Sequence, residues 1–457
     1  MKRRAVITIL GTIDCRNDKN NRAFYEVDEG LKDVIKLKHS NYTNMFPIVI
    51  ESFKDKKDKY EIVPVYTTKK NNKKGSKEIQ EEVLTKCEDD HLSLSNDYIK
   101  EMFEKGIHIK DENDFKGILK EIDKKIREYD EVIIDVSHGF RHLPILMTID
   151  LIVTSLKSEN KNKIKHILFA EEIEQFKHYK IVDLSEYLEL ANLAFIINIF
   201  KDNYTVSNHI KIKSQEYKEI VELMQKFSRD LMGLSIDNLL DEKDGVSIKL
   251  IEKLKNLEDK DIILFKDEIK DIRKKLEKIY TKKEHRYQTF YYIAEDVASE
   301  ERGYLAVAIS LIFEGVSFYL YTALREGSPT LKKFFENLEK RVNMEKDFTF
   351  YDILDLCRGV FGFGKDKFRF SKKIQNDVTD EIKDELFKVK NNILRSFGYY
   401  KHITNHPLIS LLQDTKKLRN NLLHANSGDK VENVSKEVEN LLKRYKKILI
   451  DKNLRKN

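Results

Sequence analysis

The sequence predicts an α/β domain built on a mostly parallel sheet, followed by an all-α linker and an all-α helical bundle. Three observations carry that expectation. Short β-branched runs alternate with helical stretches over the first 185 residues, strand signals nearly vanish from Ser185 onward, and only 5 prolines punctuate the chain. At 457 residues there is room for two or three domains, each burying a core of its own.

The strands are expected at "RAVITIL" (residues 4–10), "EIVPVYT" (61–67), "EVIIDVS" (131–137) and "KIKHILFA" (163–170), each bounded by polar residues or glycine. Helical periodicity between them, notably over 111–129 and 143–156, predicts crossovers that keep the strands parallel and cover both faces of the sheet. "QFKHYKIVDL" (175–184) is expected to add a final antiparallel strand. "EYLELANLAFIINIF", "KEIVELMQKFSRDLMGL" and "DEIKDIRKKLEKIY" then place apolar residues at helical spacing with Lys and Glu opposite. The expected division is 1–185 for the α/β domain, 186–284 for the linker and 285–457 for the bundle.

Composition excludes little by itself. The 84 basic and 78 acidic side chains leave a net charge of +6, which neither demands nor excludes nucleic acid, since the distribution over the surface decides. "TTKKNNKKGSKE" (67–78) is the clearest exposed basic loop. Cys15, Cys87 and Cys357 form no C-x-x-C pair, and "MKRRAVITIL" runs into polar "GTIDCRNDKN" without a small-residue cleavage site, so a reduced, cytoplasmic protein is expected. Residues 303–324 are apolar enough to cross a bilayer, but Glu314 sits in the middle and no second span accompanies them. A buried helix, and no membrane partner, is the expectation. No clustered His and carboxylate set has metal-ligand spacing, so no metal is expected.

Two loops have ligand chemistry. Open parallel sheets bind ligands beyond the carboxyl ends of their strands. The first strand ends in "LGTIDCR", where Gly11 admits close backbone approach and Thr12 and Asp14 offer hydrogen bonds. A later strand ends in "DVSHGFRHLP", where Ser137, His138, Gly139 and Arg141 precede an apolar helix whose first N–H groups suit phosphate. Taken singly, each loop also fits a plain turn, His138 a helix cap and Arg141 a surface ion pair. Neither is a dinucleotide fingerprint, and no P-loop is present.

Near the end of the chain, Leu408, Leu411, Leu412, Thr415, Leu418 and Leu422 recur at three- and four-residue steps, a helix with one core-facing stripe. Arg419, Asn420 and His424 in "KLRNNLLHANSG" share the remaining face, and Gly428 is expected to end the helix. That face suits solvated polar surface. It also suits metal-free RNA cleavage, where histidine moves protons near neutral pH and arginine holds the developing phosphorane charge. One helix carries only one such set, so a composite cleft would need two copies about a two-fold axis.

"DVSHGFRHLP" resembles the D-V-T-H-G-F-R-x-L-P signature of CRISPR-associated Rossmann-fold sensor domains, the CARF domains, with Ser137 in place of threonine. "LGT" after the first strand resembles the other characteristic loop of that group. "VDLSEYLELANLAFIINIF" is similar to the passage from such sensors into their effector half, and "RNNLLH" resembles the arginine–histidine motif of HEPN ribonucleases. The segment from about 186 to 283 carries no matching motif. The resemblance implies a Rossmann-like sensor followed by a HEPN bundle: a homodimeric ancillary ribonuclease of type III CRISPR immunity, activated by cyclic tetra- or hexa-adenylate. Gly11, Thr12, Asp14, Ser137, His138, Gly139 and Arg141 would then line the messenger site, and Arg419, Asn420 and His424 the site for single-stranded RNA. A base would stack on an aromatic such as Phe361 or Tyr399. Two other functions fit the same sensor. A transcription regulator would need a helix-turn-helix, of which the sequence holds no convincing example. A nuclease-inactive binding protein would use the bundle for dimerisation alone.

Overall fold

Arg4–Ile9 is buried at every position after the first, the mark of a strand covered on both faces rather than one. In the computed structural model it lies inside a sheet built from β1 (Arg4–Ile9), β2 (Ala23–Val27), β3 (Asn41–Tyr42), β4 (Tyr60–Tyr66), β5 (Ile107–His108), β6 (Glu131–Asp135), β7 (Ile164–Glu174) and β8 (His178–Asp183). The helices α1 (Met45–Phe53), α2 (Ser76–Lys86), α3 (Asn96–Lys105) and α4 (Phe115–Arg127) fall between them. The structure describes residues 2–13, 22–54, 60–70, 73–86, 92, 94–111, 114–138, 163–207, 212, 214–241, 243–258, 265–281, 283–362, 371–398, 406–423 and 430–451. The helix expected over 143–156 lies outside them.

Among the described residues the strand order is β3-β2-β8-β7-β6-β1-β4-β5. β1 pairs in parallel with β4 and with β6, β6 with β7, and β4 with β5. Side-chain alternation sends Val6 and Ile133 to one face, where α1 and α3 bring Ile48, Val49 and Phe103. Ala5, Ile7, Val132 and Ile134 go to the other, against Ile118, Ile122 and Ile126, spaced four apart on α4. β8, the last strand along the described chain, runs antiparallel to β7, as the sequence predicts, and does not lie at the sheet's edge: β2 pairs in parallel beyond it and β3 antiparallel beyond that. β2, β3 and β5 are five, two and two residues long and carry too little pattern to be read from sequence.

The chain divides into two compact units, Met1–Ile196 with Ser207–Lys218, and Ile197–Val206 with Glu219–Asn457. The first holds the sheet, and the described part of the second is helical. α5 (Ser185–Asn203) and α6 (Gln215–Met232) each begin in the first unit and end in the second. Among the described residues the further α-helices are α7 (Ile236–Leu240), α8 (Val246–Glu258), α9 (Lys266–Ile279), α10 (Arg286–Val297), α11 (Leu305–Arg325), α12 (Pro329–Met344), α13 (Phe350–Gly362), α14 (Asp380–Ser396), α15 (Pro407–Leu423) and α16 (Val431–Tyr445).

The apolar stretch long enough to cross a membrane is α11, and 61% of its most apolar window is buried in the protein. α10, α13, α15 and α16 pack around it. Its serines satisfy themselves, Ser310 and Ser317 each donating to the carbonyl four residues back, at 2.8 Å. Gly315 faces the Tyr445 hydroxyl, which donates to the Tyr287 carbonyl at 2.8 Å. A methyl group at 315 would overlap that hydroxyl, so the close approach of α16 to α11 requires glycine there.

A buried ion pair organises the approach to α11. Arg302, with a fully buried side chain, donates from Nη1 to Asp296 Oδ1 at 2.8 Å and from Nη2 to the Lys201 carbonyl at 2.9 Å. Its guanidinium lies 4.1 Å from the ring centre of Tyr204, which stands just past α5 with a positive φ of 51°. Arg302→Met leaves Asp296 with Lys275, 3.3 Å away, and the Tyr280 hydroxyl as its remaining partners, and a loss of about 1–3 kcal/mol is expected in urea titration.

Candidate functional site

Because β1 and β6 are parallel neighbours, their carboxyl ends deliver both candidate loops to one edge of the sheet. Thr8 and Asp135 face each other there in full burial, and the threonine hydroxyl donates to Asp135 Oδ2 at 2.6 Å. The other carboxylate oxygen accepts the Ser137 N–H at 3.0 Å, which turns the chain sharply after the strand. Ser137 Oγ in turn accepts the Ala170 N–H of β7 at 2.9 Å. His138 reaches α1, where its Nε2 accepts the Met45 N–H at 2.9 Å. That bond fixes the neutral ring with its proton on Nδ1. Burial lowers the histidine's pKa below its ordinary value, against the opposing charge of Asp135.

The β1 loop is held by two residues that sequence reasoning missed. Asn44 caps α1, its Oδ1 accepting the Phe46 N–H at 2.9 Å, while its Nδ2 donates to Gln80 Oε1 at 3.0 Å and to the Ile13 carbonyl at 3.3 Å. Gln80, buried on α2, donates from Nε2 to the Gly11 carbonyl at 3.0 Å and the Ile13 carbonyl at 3.2 Å. Asn before an apolar run is a legible helix-start signal, but nothing in the sequence marks Gln80. The structure therefore brings Gly11, Thr12, Ser137 and His138 together around the first turn of α1. Thr12 is exposed, whereas Ser137 and His138 build the loop as well as border it. Asp14, Gly139 and Arg141 lie outside the described residues. Next to β1, β4 ends in the basic loop, closed at its base by reciprocal bonds between Thr67 and Ser76 at 3.0 and 3.1 Å.

In the helical unit, the stripe of α15 is as expected: Leu408, Leu411, Leu412, Thr415 and Leu418 are buried, while Leu422 is half-buried. Arg419 is not on a fully solvated face. It stands at the margin of the stripe, half-buried, with its guanidinium 5.1 Å from the ring centre of Phe313 on α11. Asn420 is half-buried beside it, and His424 lies outside the described residues. Arg419 lines a cavity of 420 Å³ together with Arg286, Glu314, Phe318 and Tyr351. Burial pushes the Glu314 carboxyl above the usual carboxylate range, opposed by the charges of Arg358, Arg419 and Arg286. Phe361, expected to stack on a base, is only 1% exposed in the core and cannot meet RNA. Tyr399 lies outside the described residues. Among the described residues no three His, Cys, Asp or Glu side chains gather as a metal-holding group.

No protein-family model matches the chain. Over 134 residues it is 27% identical to the CRISPR-associated protein MJ1674 of Methanocaldococcus jannaschii. That match covers 28% of this chain, and it spans only 20% of the relative's length. Among solved structures, Enterococcus italicus Csm6 bound to cyclic hexa-2'-fluoro-hexa-dAMP aligns over 98% of this chain and 94% of its own. The identity is 12% and the TM-score 0.29, a superposition too loose to carry a shared fold.

Asn44→Ala removes a helix cap and one tether of the β1 loop, an expected loss of about 1–2 kcal/mol with faster amide exchange around Gly11. Because His138 has a folded pKa below its unfolded one, its contribution is present above about pH 6.5 and fades as the pH falls below that value. Melting temperature should therefore drop between about pH 7 and pH 5 by more in the wild type than in His138→Gln, which keeps an acceptor but does not titrate.

Proposed function

We propose that this chain is a CRISPR-associated endoribonuclease of type III immunity, allosterically activated by cyclic tetra- or hexa-adenylate. The observation that carries the reading is the convergence of both sheet-edge loops on the first turn of α1, in a chain whose helical unit sets Arg419 in an aromatic cavity. The local similarity to MJ1674 supports the CRISPR association. In this reading residues 1–185 are a CARF-type sensor, 186–284 a helical linker and 285–457 a HEPN ribonuclease. Gly11, Thr12, Asp14, Ser137, His138, Gly139 and Arg141 border the messenger, whose phosphates suit the exposed backbone of the loops and the basic loop after β4.

Cleavage is metal-independent in this proposal. The ribose 2'-hydroxyl of single-stranded RNA attacks the adjacent phosphorus and gives up its proton to His424, the P–O5' bond breaks, and a proton passes to the departing 5'-oxygen, leaving a 2',3'-cyclic phosphate and a 5'-hydroxyl; Arg419 stabilises the pentacovalent charge and Asn420 orients the phosphate. A homodimer brings two such sets into one cleft. The protein works in the cytoplasm without a membrane partner. Activation requires the messenger to bind the cleavage-competent arrangement more tightly than the other, and α5 and α6, shared by both units, are the elements suited to carry that difference.

The test is cleavage of a fluorescent single-stranded RNA in EDTA, with and without each cyclic oligoadenylate. One ring size should switch cleavage on, and His424→Ala or Arg419→Ala should lower the activated rate at least about 100-fold with messenger binding kept. Messenger binding without cleavage under every condition sinks the nuclease assignment and leaves a binding protein or regulator.

A further inference from the structure

The cavity beside Arg419 has a chemistry that phosphate-backbone cleavage alone does not need. Its 420 Å³ lies within the range of about 300–1,000 Å³ found for small-ligand pockets. One wall is a stack of three rings, Phe318 lying between Phe290 and Phe350 at centroid separations of 5.4 Å, with interplanar angles of 20° and 14°. Arg286 covers that stack, 4.4 Å from the Phe318 ring centre, and is steadied by Asp237. Tyr351 closes another side and is largely exposed.

Within this lining stands Glu314, a half-buried carboxylate in the middle of an otherwise apolar helix. Its closest ionic partner, Arg358 Nη1, is 3.8 Å away, beyond hydrogen-bonding distance. Arg358 instead donates to Ser317 Oγ at 3.1 Å. Nε of Arg419 is likewise buried without a hydrogen-bond partner among the described residues. Buried or half-buried acceptors and donors without hydrogen bonds are costly in a bare protein, and a ligand that fills them would offset that cost.

The signs of the charges define that ligand. A bare cation is disfavoured by three surrounding arginines, and a simple phosphate is disfavoured at Glu314. A molecule with a flat ring, neutral N–H donors at one edge and an anionic group beyond satisfies every feature, and that is a nucleotide. Guanine presents N1–H and N2–H side by side, matching the two oxygens of one carboxylate, whereas adenine, cytosine and uracil each present a single donor position set beside acceptors.

We infer that this cavity is a guanine-selective base subsite, in which Glu314 accepts from the Watson–Crick edge, the exposed Tyr351 ring holds the base above the buried aromatic floor, and Arg286 and Arg419 bracket its phosphate. The inference rests on the ribonuclease reading for its substrate, and it adds a base preference and three residues, Glu314, Arg286 and Tyr351, to that site.

Binding decides it independently of cleavage. The full chain is titrated by fluorescence anisotropy with non-cleavable 2'-O-methyl oligouridylates carrying one guanosine, inosine or adenosine, with and without cyclic oligoadenylate. The guanosine probe should bind about tenfold or more tighter than the adenosine probe, with inosine, which lacks the 2-amino group, between them. Glu314→Gln should erase the difference, and Tyr351→Ala should weaken the guanosine probe. Equal affinity for guanosine and adenosine, or a preference that survives Glu314→Gln, overturns the inference. The inosine series keeps the test decisive on the wild type should Glu314→Gln fold poorly. A guanosine preference in a chain that never cleaves removes the nuclease reading and leaves the subsite standing.

Discussion

The sheet edge depends on one buried carboxylate. Asp135 is fully enclosed at the end of β6, a position a charge can hold only with donors around it. Thr8 supplies one from β1 and the Ser137 N–H supplies another from the next turn of the chain. These bonds pin the two central strands together at their carboxyl ends and set the direction of the loops beyond them. His138 then reaches the start of α1, Asn44 at that helix start reaches back to the β1 loop, and Gln80 takes the remaining carbonyls. The β6 loop thus takes its direction from the satisfaction of Asp135, and the β1 loop from the amides of Asn44 and Gln80.

The helical unit solves the opposite problem, since α11 is nearly all apolar and must be enclosed from several sides. Its polar exceptions mark where enclosure is incomplete or purposeful. The serines fold their hydroxyls onto their own helix, and Gly315 admits Tyr445. Glu314 does neither. It faces a cavity with arginines from three other helices, α10, α13 and α15, and that is what distinguishes this side of the bundle from plain core. Arg302 and Asp296 form the second buried charge pair, tying the end of α5 to the turn before α11. The Arg302–Asp296 pair is fully enclosed, whereas Glu314 is half-buried among arginines at the cavity.

β1, β4 and β6 are legible in the sequence because strands buried on both faces are largely continuous apolar runs, a signal contained in each segment, and β7 is legible from its shorter apolar stretch Ile167–Ala170. The stripe of α15 is legible for the related reason that its period is local. β2, β3 and β5 give no such signal because they are short and exist by pairing with neighbours far away in the chain. Phe361 does not meet the expectation of a base-stacking surface because an aromatic looks the same in sequence whether it faces a groove or the core, and packing buries it.

Legible in the sequence alone were β1, β4, β6, β7 and β8, the change from α/β to all-α near residue 185, and the loops where ligand chemistry could reside. Each is a product of local periodicity and residue type. Only the tertiary structure decided which polar side chains support those loops. It drew Gln80 and Asn44 to the β1 turn, set His138 on a helix it does not adjoin in sequence, and gathered Arg286, Glu314 and Arg419 around one cavity. Those choices depend on satisfying buried donors and acceptors across distant segments, and no local pattern encodes them.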